Sequence, residues 1–362
     1  MRPKCIRFAG WASGEGLMLW HPALISIFLT DTIALILIGS SALSGLAIVL
    51  HWQPQSAHRR QIRLERLAET ADLKSRWGFI FFLFSSLLLM VAVTCLLPDL
   101  VPGAMCGKGV MQATAGNGTQ ALFFRWLALL LLFWQRMLAR QNNLQPEAPL
   151  TLAWARLLLI GAPVVAMAGF DTASAFIQLN THQPVSCCVQ VYQQLDSGKT
   201  VSAVSGLAAA AWLVLYSALG FALTGLSLWI AAAPQSKTAY RQGLLCCLSL
   251  VWVMVAALGL MAFLTPYIYQ VLDHHCLFCL FLPEHCGIGF PLFALMAFVS
   301  AEGPAALILK LTIKRHPLLA QSANRRLGVA ALRVALAVIL FSLLALLPAV
   351  LWRLRFGVWI QG

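Results

Sequence analysis

The chain has 362 residues, of which 60% are apolar and only 10% charged, a balance that excludes an ordinary soluble domain. Its net charge of +13 has the sign of a nucleic-acid binder, yet the basic residues sit in short connections between apolar runs, with no aromatic-interleaved basic surface. Nucleic acid is therefore not an expected partner; membrane lipid is.

Eight apolar runs follow one another, at about 23–49, 77–98, 119–136, 151–177, 205–231, 242–264, 288–311 and 328–351. Each is long enough to cross a bilayer as a helix, which takes roughly 20 residues. The expected fold is all-α: a polytopic transmembrane helical bundle with short loops, and residues 1–362 form one integral membrane domain. The basic N-terminus lacks a clean cleavage site, so the first run reads as a retained helix. Pro163, Pro266, Pro291 and Pro304 are candidate kinks or stops.

Connections 51–76, 137–150, 232–241 and 312–327, with their adjacent helix ends, carry most of the 25 lysines and arginines. Connections 99–118, 178–204 and 265–287 have only Lys108 and Lys199. The positive-inside rule makes the first class cytoplasmic and the second external, with the short connections favouring a prokaryotic inner membrane. Within 51–76, RRQIRLERLAETADLKSR has the pattern of a short amphipathic helix suited to anionic lipid or a cytoplasmic partner. Helix, basic connection, helix, cysteine-bearing loop recurs along the chain, a layout that internal duplication would produce.

Charges inside spans are costly unless paired or hydrated. Asp31, Arg125 and Asp171 lie at similar depth, so Arg125 is expected to bridge Asp31 or Asp171, as a structural pair or as a polar floor under the loops. Glu302, beside Gly303 and Pro304, has Arg333 as its expected partner.

The cysteines concentrate in the second class of loops. Cys106 precedes a glycine-rich stretch that reads as a tight turn into the third span; Cys187 and Cys188 are adjacent; and DHHCLFCLFLPEHCGIG holds His274, His275, Cys276, Cys279, His285 and Cys286. Three chemistries use these residues. Thiolates and imidazoles at this spacing suit a tetrahedral soft-metal centre, copper or zinc, with Cys106, Cys187 and Cys188 as accessory donors. Cys276 and Cys279 alternatively form a redox-active C-x-x-C pair, exchanging with an external thiol partner and a membrane quinone. All the cysteines are otherwise structural disulfides, as in an accessory subunit of a membrane complex. The apolar LFCLFLP suggests that the loop folds back onto the bundle. Leu280 follows Cys279 where covalent haem attachment needs histidine, and the spans nearly lack histidine, so haem is not expected. No serine-histidine-aspartate set, zinc-protease helix or nucleotide motif is present. The density of histidine around the C-x-x-C pair favours metal, since a simple dithiol exchanger needs none.

Overall fold

The computed structural model describes residues 21–53, 59–145, 147–180, 183–185, 209–233, 239–270, 274–313, 316 and 319–359. Among them there is no strand, and eight helices are long and apolar enough to cross a membrane. Helix α1 spans Pro22–His51 and α2 spans Arg59–Val91, running on through a π-helical turn, Ala92–Leu96, and a 3-10 turn, Leu97–Asp99. A short α3 (Gly107–Ala113) leads into α4 (Asn117–Asn142) and α5 (Thr151–Ile177). In the second half α6 is Ala209–Ala232, and α7 (Tyr240–Gly259) passes through a π-helical turn, Leu260–Leu264, into a short α8 (Thr265–Tyr269). Two 3-10 turns, Leu277–Phe281 and Pro283–His285, precede α9 (Gly289–Ile313) and α10 (Ala320–Phe356).

These helices form two four-helix rings. α1 packs on α2, α2 on α4, α4 on α5 and α5 on α1; α6, α7, α9 and α10 close a second ring in the same order. In each ring the second helix carries the π-helical turn, followed by a cysteine-bearing connection. The rings meet where α4 packs on α9, with Trp134 Nε1 donating to the Ala301 carbonyl at 2.9 Å.

The burial pattern is that of a bundle in lipid. α1 turns Ala34, Ser41, Ala42 and Gly45 inward and leaves Leu29, Ile36 and Leu43 exposed. Small residues let helices approach, while large apolar ones face acyl chains, because lipid supplies no hydrophobic drive between helices. Gly78 of α2 is one such approach: a Cβ there would lie 2.6 Å from Ile38 Cγ1.

The expected break between an amphipathic segment and a second span does not occur. Arg59 to Val91 is one helix, since the segment is built of strong helix formers and has no proline. With its extension it is 41 residues, about 62 Å at 1.5 Å per residue, and so overshoots the roughly 30 Å hydrocarbon core. Gln61, Leu64, Ala71 and Ser75 of this overhang are buried, while Ile62 and Leu73 are exposed. Pro163 and Pro304 lie inside α5 and α9.

Candidate metal centre

The first-half contribution is a single cysteine. Pro98 ends the extension of α2, and the chain reaches Cys106 in an extended conformation immediately before α3. Cys106 is 1% exposed. The next residue must be glycine: a Cβ on Gly107 would lie 2.8 Å from Phe278 Cδ1 and 3.1 Å from Val93 Cγ1. That contact brings the second-half loop against the π-helical turn of α2.

The second half supplies the C-x-x-C pair. Cys276 is extended and caps the 3-10 turn Leu277–Phe281, with Cys279 N–H donating to the Cys276 carbonyl at 3.3 Å. Residues three apart eclipse in a 3-10 helix, so the turn sets both sulfurs on one side. Leu280 and Phe281 are buried, Phe281 against Phe290 and Phe293, and this anchors the turn on α9. Phe278 packs instead into the apolar cluster of the first half, beside Val93, Val110 and Met111.

The result is a cluster of three sulfurs. The Sγ atoms of Cys106, Cys276 and Cys279 all lie within 4.8 Å of one another, and Cys106 and Cys276 are 3.6 Å apart, a non-bonded separation. Hydrogen bonds from the Cys106 and Cys279 thiols, helped by the N–H groups of Cys279 and Phe278, hold the Cys276 thiol far below its ordinary range, against the opposing effect of burial.

Tyr269, which sequence reasoning missed, organises the surroundings. Its hydroxyl donates to the Cys276 carbonyl at 2.6 Å, and its ring packs against His274 and His285 at centroid distances of 4.8 and 4.6 Å. His274 Nε2 lies 3.1 Å from Cys279 Sγ. His275 is turned away from the sulfurs to the π-helical turn, its Nδ1 2.8 Å from the Met261 carbonyl. Thr265 Oγ1 donates to the same oxygen. Burial lowers the pKa of His274 and of His285, which favours neutral rings. Cys286 is exposed and outside the cluster, and Cys187 and Cys188 lie outside the described residues.

The placement of the cysteine-rich loops as external segments is overturned. Integral membrane location stands, but Cys106 and Cys279 are buried and Cys276 is partly buried. The physical reason is the apolar content of the loops: Leu280, Phe281 and Phe278 gain more by packing on the bundle than a solvated flap would allow.

Two further polar groups occupy the interior. Arg125 of α4 pairs with Asp31 of α1, donates to Thr172 Oγ1 at 3.1 Å and to the hydroxyls of Ser85 and Ser86, and lies over the Phe82 ring. Asp171, the other partner considered for Arg125, has one buried carboxylate oxygen with no hydrogen-bond partner among the described residues. Glu302 is gripped by Arg326 at 2.7 and 2.9 Å and more loosely by Arg333 at 3.4 Å. Arg326 was missed because the apolar pattern of the last span fades before it, whereas α10 starts at Ala320.

No family model, curated protein or solved structure matches this chain. The donor set is therefore the basis for function.

Proposed function

We propose that this protein binds a soft metal ion, copper(I) or zinc, through the thiolates of Cys106, Cys276 and Cys279, with His274 Nε2 as the fourth donor. The observation that carries the reading is the convergence of three sulfurs from both halves of the bundle within 4.8 Å. Sulfur donors select soft cations over magnesium or calcium. Bonds of about 2.3 Å to a tetrahedral ion place sulfurs about 3.8 Å apart, close to the 3.6 Å between Cys106 and Cys276. The lowered pKa of Cys276 makes it a thiolate at neutral pH, and a neutral His274 keeps a lone pair for coordination. Burial excludes water and oxidants from the thiolates.

The chain's own residues define the rest of the site. Tyr269 fixes the Cys276 carbonyl and separates His274 from His285, which serves as wall rather than ligand. Lys108, exposed and close enough to act electrostatically on His274, offsets the negative charge of three thiolates. The test is elemental analysis of protein purified anaerobically without chelator. One equivalent of copper or zinc is expected, falling to background in Cys276→Ser/Cys279→Ser; metal-free protein with three alkylatable thiols would refute the reading.

A second reading rests on the 3.6 Å separation of Cys106 and Cys276 beside Cys279: thiol–disulfide exchange. Oxidation of two of these thiols to one disulfide releases two protons and two electrons, which a quinone-class acceptor takes up as quinol. This reading expects a reversibly reducible disulfide among the three and no bound metal.

A further inference from the structure

At the opposite end of the bundle a cleft of about 960 Å³ opens between the C-terminal turn of α4 and the N-terminal turns of α10. It lies between the two rings, because α4 belongs to the first and α10 to the second. Gln141, Ser322, Asn324, Arg325 and Arg326 supply its polar lining, and no acidic residue contributes to it. Gln141 is 5% exposed, yet its Oε1 has no hydrogen-bond partner among the described residues. The same holds for Asn324 Oδ1 and for Nη1 of Arg326, although Nη2 of that arginine is held by Glu302.

Buried polar atoms without partners are costly, and three converging on one cleft indicate a ligand that satisfies them. The donors favour an anion: Arg325, Arg326 Nη1 and the unsatisfied N–H groups of the first turn of α10, where the helix dipole is positive. The two amide oxygens require donors on the same ligand, hydroxyl or ammonium groups beside the anion. Leu144, 59% exposed, and Val329 complete the rim and provide apolar contact next to the polar floor. A phosphate joined to a hydroxyl-bearing headgroup and to acyl chains meets all three requirements. We infer that this cleft binds the headgroup of one anionic phospholipid, of the phosphatidylglycerol type, bridging the two halves of the bundle.

The test is native mass spectrometry of the full chain released from mixed phosphatidylglycerol and phosphatidylcholine micelles. One phosphatidylglycerol should be retained in preference to phosphatidylcholine. Arg325→Glu, at an exposed position, should weaken that retention about thirtyfold, since it reverses one charge at the surface. Gln141→Leu should weaken it several-fold without altering charge, and Arg60→Glu, exposed on α2 and away from the cleft, should leave it unchanged. Equal retention of the two lipids, equal loss in Arg60→Glu, or saturable binding of inorganic phosphate with no lipid preference would overturn the inference.

Discussion

Arg125 shows how one side chain commits its neighbours. Its guanidinium is buried against Asp31, Thr172, Ser85 and Ser86, drawing on α1, α2 and α5 at once. Removing one member of a buried ion pair leaves the other uncompensated, so Arg125→Met should cost about 3–5 kcal/mol. Arg125→Met with Asp31→Leu should recover most of that loss, and thermal unfolding in detergent measures both. Gly107 is equally constrained. Gly107→Ala drives a methyl group into Phe278 and should destabilise by about 1–3 kcal/mol while lowering bound metal, read from unfolding and elemental analysis together. At this scale, the cysteines and intramembrane charges were legible from their types and positions. Which of them meet was not: Cys106 pairs with a residue 170 positions away, and His274 and His275 are neighbours that point to different partners.

Among the elements, the eight spans were legible because hydropathy and length are local properties, and their ends agree with the apolar runs except where α2 and α10 run on beyond the hydrocarbon. The π-helical turns had no local signature. Each adds a residue to a helix that continues in register on either side, a choice made by tertiary packing. In α7 the turn presents the Met261 carbonyl to His275 and sets the direction in which the chain leaves for Cys276. Deleting Ala262 should restore regular α-helix and rotate α8 and the cysteine loop by about 100°. Bound metal should fall to background while the helical circular dichroism is unchanged; retention of metal would show that the π-helical turn does not position the cysteines. The re-entrant Leu277–Phe281 turn was legible from its apolar run, but its burial carries the sulfurs with it, which is why solvent-facing loops were the wrong expectation.

For the whole molecule, two rings of the same helix order touch along α4 and α9, and the sulfur cluster ties them together at one end. The first half contributes only Cys106 to that cluster. A bound ion would therefore act as a clasp between halves, and ligand linkage gives about 4 kcal/mol when free metal is a thousandfold above its dissociation constant. Chelation should lower the unfolding temperature of the native chain and leave that of Cys106→Ser unchanged. Composition made the membrane bundle plain, since 60% apolar content leaves no other globular class. The correspondence between halves was visible only as alternating connections, which any polytopic chain has; the shared ring order and π-helical turns appear in three dimensions alone.

The most direct measurement is X-ray absorption at the metal edge of anaerobically purified protein, counting sulfur neighbours in the native chain and in Cys106→Ser. Three sulfurs at about 2.3 Å and one light nitrogen scatterer are expected, with the first-half sulfur lost in the variant. A metal without sulfur neighbours, or a sulfur count unchanged in Cys106→Ser, would contradict a centre shared by the two halves.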